Sequence, residues 1–180
     1  VDVHMALLKE WGIETDIVFS RANYCKLDVL PHLSRGAASY MQAGEAAALR
    51  ALLDEKRFAG GVAALLRLVR DKAQKAGLSL RVASDAKYVE IAFGDKGDSV
   101  DGLLSRLTAK GGYGVSDCCF WGDEFAGVAD GIEGSDASMI TEMSRQADFF
   151  DVSDAPGPRP RRVVKLGGGV SAFHQFLESQ

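Results

Sequence analysis

The chain has 180 residues, 47% of them hydrophobic and 26% charged, with a formal net charge of −4 at pH 7. That content suffices for one buried core, or for a core carrying an inserted cap. The acidic balance argues against a broad polyanion-binding surface, three cysteines without metal-ligand spacing argue against a zinc site or a disulfide framework, and no apolar run is long enough to span a bilayer.

Nucleic acid and membrane are therefore not expected partners. The cysteine usage and the lack of a signal peptide point to a reducing, cytoplasmic setting. The chain opens at Val1 without an initiator methionine, directly in a patterned stretch, which is the expectation for a fragment. His4, Leu7, Leu8 and Trp11 fall at helical spacing, with Gly12 as a stop. Asp16 to Phe19 reads as a short strand. A helix followed at once by a strand suggests the middle of an α/β core, so residues 1–34 are assigned there. Tyr24 to Leu30 reads as another strand, ended by Pro31.

From Gly44 to Arg57 the pattern is helical, with Leu49, Leu52 and Leu53 on one face. Gly60-Gly61 breaks it. Val62, Leu65, Leu66 and Val69 then mark a second helix, with Lys72 and Lys75 in its last turn and Gly77 as its C-cap. Leu78, Leu80 and Val82 alternate with polar or small residues, as do Val89, Ile91 and Phe93 after a turn at Asp85-Ala86-Lys87. Helix followed by hairpin makes residues 35–92 an α+β module of cap type, and residues 93–180 a second stretch of core.

Lys96 lies at the start of a helix whose apolar face is Val100, Leu103, Leu104 and Leu107. A lysine there opposes the helix dipole. A cation beside exposed backbone N–H groups makes a phosphate or carboxylate holder. The other reading is a solvated lysine balanced by Asp95 and Asp98. The Gly-x-x-x-x-Gly-Lys-Ser/Thr phosphate loop is absent.

Cys118-Cys119-Phe120-Trp121 is an uncharged run ending in Gly122-Asp123-Glu124, the pattern of a buried parallel strand covered on both faces. Ligands of open α/β sheets collect at the carboxyl ends of strands. Two adjacent carboxylates there suit a hard cation such as magnesium, or else form a solvated acidic turn. After a glycine-rich irregular stretch, Ser135 or Asp136 can cap a helix with Met139, Ile140 and Met143 buried, and Asp136 can equally serve a metal. Phe149 to Ser153 and Val163 to Leu166 read as strands. Arg159, Arg161 and Arg162, in the proline-rich loop between them, read as solvated. Gly167-Gly168-Gly169 hinges into a last helix with Val170, Phe173 and Leu177 inward. Nucleophile-elbow and dinucleotide motifs are missing.

A hairpin, then Lys96-Gly97 on a leucine-faced helix, then an apolar strand into Gly122-Asp123-Glu124, then Ser135-Asp136-x-x-Met139-Ile140, resembles the C-terminal half of the haloacid dehalogenase superfamily. It is most similar to the sugar-phosphatase-like branch with an α+β cap. The resemblance implies a Rossmann-like α/β core, incomplete at its N-terminus, and a magnesium-dependent phosphatase of small phosphorylated metabolites, sugar phosphates among them. It implies catalytic roles for Lys96 and Asp123, Lys96 holding the phosphate, and a metal site at Asp123, Glu124 and Asp136. The family's Asp-x-Asp motif, which supplies an aspartyl-phosphate, occurs nowhere in the chain. The 180 residues alone are therefore expected to be inactive, and a non-catalytic degenerate module that binds a ligand or a protein partner stands as the alternative.

Overall fold

The computed structural model describes residues 2–34, 42–85, 87–127 and 132–179, without the side chains of Asp2, Val3, His4, Leu7 and Asp85. The chain divides into two compact units. The first runs to Gly94 and takes in Ile132; the second begins at Asp95.

The first unit comprises α1 (Asp2–Glu10), β1 (Asp16–Arg21), β2 (Tyr24–Asp28), α2 (Ala43–Glu55), α3 (Gly61–Lys75), β3 (Arg81–Asp85) and β4 (Tyr88–Ala92). Its strands form one antiparallel sheet in the order β1-β2-β4-β3. Strand alternation sends Cys25, Leu27, Val82, Val89 and Ile91 to one face. There they meet Leu49 and Leu53 of α2 and Val62, Leu65, Leu66 and Val69 of α3. Each such aliphatic side chain contributes about 1.5–3 kcal/mol when fully buried, so this face holds the unit together.

Of residues 1–34, expected as a helix and strand of the α/β core, β1 and β2 join the β3–β4 hairpin in the antiparallel sheet, a pairing the sequence did not show. The reason lies in β1, which is exposed along its length and bulged between Ile17 and Phe19, so it lacks the alternation that reveals an antiparallel strand. Of the expected inward face of α1, Leu8 is fully buried. Trp11 instead stays exposed and packs edge-on against Phe58, at 4.8 Å between ring centroids. The His4 and Leu7 side chains lie outside the described residues. Lys87, expected in a polar turn, is buried. Its ammonium pairs with Asp28 Oδ2 at 2.6 Å and donates to the carbonyls of Leu30 and Leu33, tying the segment after β2 to the hairpin turn.

Burial pushes the Cys25 thiol up from its ordinary value. The folded state thus resists thiolate formation while the unfolded state does not. The associated stability is intact below the unfolded thiol value of about 8.5 and is lost as pH rises above it toward the folded value. Denaturant unfolding between pH 7 and 10 should therefore show a steeper loss of stability in the native sequence than in Cys25→Ala. Equal slopes would contradict a buried neutral thiol.

The second unit comprises α4 (Lys96–Lys110), β5 (Cys119–Gly122), β6 (Asp148–Asp151), β7 (Val163–Lys165) and α5 (Gly169–Glu178). Its strands are parallel, in the order β5-β6-β7. Phe120 and Phe149 sit side by side on one sheet face, within a cluster that includes Val100 and Leu104 of α4. Trp121 and Phe150 point the other way, and Trp121 meets Phe173 and Phe176 of α5. Helices on both faces of a parallel sheet make this a Rossmann-like α/β layer.

Three local expectations are corrected. β5 lies at the sheet edge and leaves Cys119 exposed, because its apolar run has β6 as its one strand neighbour among the described residues. The segment after Gly134 is a 3-10 turn, Ser135–Met139, not an α-helix, and Met143 is exposed. On α5, Val170 and Leu177 face outward, because Phe173 and Phe176 set which side meets the sheet.

Candidate functional site

The site lies wholly in the second unit, where the loop after β5, the 3-10 turn and the start of α4 converge. Asp136 organises it. Its Oδ2 accepts from the backbone N–H groups of Asp123 at 2.9 Å and Glu124 at 2.8 Å. The Asp136 N–H in turn donates to the Glu124 carbonyl at 3.2 Å. The chain therefore turns off β5 against a fixed carboxylate. Gly122 permits this, since a Cβ there would lie 2.5 Å from the Asp136 carboxyl carbon. Asp136 does not cap a helix, as the sequence suggested; the position before the 3-10 turn is Gly134.

α4 begins at Lys96, with Asp95 as N-cap. Asp95 Oδ1 accepts from the Asp98 N–H at 3.0 Å, and Asp98 Oδ2 accepts from the Asp95 N–H at 3.0 Å. These acids accept from each other's backbone N–H groups and close a capping box at the helix start. Gly97 lets the helix press on the 3-10 turn, where a Cβ would collide with the Ser138 carbonyl.

The Lys96 ammonium lies 2.5 Å from Asp136 Oδ1, 2.8 Å from Ser135 Oγ and 3.5 Å from Glu124 Oε2. Ser135 Oγ donates to Glu124 Oε2. Asp136 is 5% exposed in its side chain and Lys96 47%, so the carboxylate is buried while solvent still reaches the cation. Of the expected site residues, Lys96, Glu124 and Asp136 thus come together. Asp123 contributes its N–H, and its side chain is exposed.

No family model and no curated protein matches the chain. Among solved structures it is similar to the N-terminally truncated, IMP-bound IMP-nucleotidase of Plasmodium falciparum, at 14% identity over 77% of this chain and 30% of that one, with a TM-score of 0.43. An IMP-bound point mutant of that nucleotidase matches at 15% identity over 77% of this chain and 29% of the other, with a TM-score of 0.42. The chain thus spans under a third of the length of these structures, and the functional reading rests on the corner itself.

Magnesium needs oxygens free to reach it in near-octahedral geometry. Both Asp136 oxygens are already taken, one by two N–H groups and the other by Lys96. Among the described residues no three His, Cys, Asp or Glu side chains are grouped to hold a metal ion. As arranged, the corner does not fit magnesium, and an ammonium supplies the positive charge between Glu124 and Asp136.

A second polar cluster, at the carboxyl end of β6, escaped sequence reasoning. Asp151 is fully buried and pairs with Arg159, Nε to Oδ2 at 2.5 Å. Arg159 also donates to Ser153 Oγ and to the carbonyls of Ala155 and Gly157. Arg159, read as solvated, is the buttress of this loop. The available signal was Phe149-Phe150-Asp151, an apolar run meeting an acid, as the run of β5 meets Asp123 one residue beyond the strand.

Proposed function

We propose that the Lys96–Ser135–Asp136–Glu124 corner is the anion-holding part of a phosphoric monoester hydrolase acting on a small phosphorylated metabolite, with the attacking carboxylate supplied from outside these 180 residues. The observation that supports this most is the Lys96 ammonium, steered by Asp136 and Ser135 yet half open to solvent at the end of a parallel strand. Phosphoryl transfer depends on prepositioned positive charge at the transferring oxygens. A lysine whose rotamers are limited by two acceptors meets an oxyanion with less entropy to lose. The residue resemblance to haloacid dehalogenases points the same way, with Lys96 in the phosphate-holding role.

The test is binding before turnover. Inorganic phosphate, titrated into the full chain and followed by calorimetry, should bind about tenfold or more weakly to Lys96→Met, a loss of about 1.4 kcal/mol. The chain should hydrolyse p-nitrophenyl phosphate no faster than background. Equal phosphate affinity in Lys96→Met would overturn the proposal. A second reading, a non-catalytic module, is favoured by the missing Asp-x-Asp and by carboxylates already satisfied by Lys96, Ser135 and backbone N–H groups; absence of phosphate binding in the native sequence would select it.

A further inference from the structure

We propose that Ser135 is a positioning residue for Lys96, its hydroxyl holding the Glu124 carboxylate off the ammonium. The inference rests on the reading that Lys96 faces an anion. Two carboxylates compete for this cation, and they stand at different distances: Asp136 Oδ1 at 2.5 Å and Glu124 Oε2 at 3.5 Å. Ser135 Oγ bridges the wider gap. It accepts from Lys96 at 2.8 Å and donates its own proton to Glu124 Oε2.

A hydroxyl has one proton to give and two lone pairs. With the proton committed to Glu124, a lone pair is left to face Lys96. A hydroxyl-to-carboxylate bond is charge-assisted and strong for its size, so it anchors Glu124 at its present distance. The hydroxyl sits on a backbone that cannot swing: the Ser135 carbonyl accepts from Ser138 Oγ at 2.8 Å, and the next residue donates its N–H to Glu124. Remove the hydroxyl and the Glu124 carboxylate closes onto Lys96. An incoming oxyanion must then displace two carboxylates instead of one.

The experiment uses the full chain and follows the Lys96 ammonium by 15N–1H NMR, with inorganic phosphate as the probe of anion affinity. Ser135→Ala should move the Lys96 resonance and weaken phosphate binding by about three- to tenfold, the size of coupling between residues in one hydrogen-bond network. Ser135→Thr, which keeps the hydroxyl, should restore both. In a Glu124→Gln background the carboxylate charge is gone, so adding Ser135→Ala should change phosphate affinity little. A Lys96 resonance unmoved by Ser135→Ala, or an undiminished effect in the Glu124→Gln background, overturns the proposal. A moved resonance in a chain that binds no phosphate supports the positioning role and overturns the phosphate reading instead.

Discussion

Arg159→Ala should destabilise the second unit by about 3–5 kcal/mol, the cost of stranding a buried charge. The Asp151 side chain is 0% exposed and Arg159 6%, so neither finds water when its partner is removed. Asp151 Oδ1 would keep the Ser153 N–H at 2.7 Å, while Oδ2 would lose its charged donor. The Gly157 carbonyl and Ser153 Oγ would lose theirs as well, while the Ala155 carbonyl would keep the Lys165 ammonium at 2.9 Å. Arg159→Lys should recover part of the loss, because an ammonium restores the charge but not the planar fork. Arg161 is exposed nearby, and Arg161→Ala should stay within about 0.5 kcal/mol of the native sequence. Urea unfolding of the three variants decides it. Similar midpoints for Arg159→Ala and Arg161→Ala would mean that the buried pair contributes nothing.

Gly134→Ala should be almost as damaging, about 3 kcal/mol, at the upper end of overpacking costs, with loss of the Lys96 corner. A Cβ at residue 134 would collide with the Glu124 carbonyl oxygen, lie 2.6 Å from the Glu124 carbonyl carbon and 2.7 Å from the Ala126 carbonyl oxygen. All three are backbone atoms, so no rotamer change relieves the clash. The turn must move away from the loop, taking Asp136 from the N–H groups of Asp123 and Glu124. Gly102→Ala is the natural control: it lies inside α4 with open space around it, and should gain about 0.5–1 kcal/mol. Phosphate affinity and thermal midpoint, measured together, read both consequences. An unperturbed midpoint in Gly134→Ala would show that the loop and turn are not tightly apposed.

What could be read from the residues depended on whether the cause was local. Lys96 stood out because a lysine in the first turn of a helix runs against the dipole. The acids at 123, 124 and 136 stood out because they follow an apolar run. Their arrangement did not, since Asp136 serves backbone donors 12 and 13 residues upstream, a pairing that no periodicity announces. Ser135 stood out only as a cap candidate and as part of the Ser135-Asp136 pair; its bridge between Lys96 and Glu124 did not. Arg159 was hidden among arginines and prolines, where composition argues for solvent, and its burial is a product of the loop doubling back on β6. The helices α2 and α3 were legible from their leucine and valine spacing, while β1, bulged and unburied, could be seen as a strand but not placed in a sheet.

That bulged strand has a consequence for how the molecule behaves in company. β1 ends the antiparallel sheet and has Ile17 and Val18 about half exposed, at 48% and 50%. A straight apolar edge of this kind is a template on which further chains can stack into aggregates. The irregularity between Ile17 and Phe19 interrupts the row of hydrogen-bonding groups, and Asp16 and Arg21 put a charge at each end. The feature that obscured the strand also works against further chains adding to this edge.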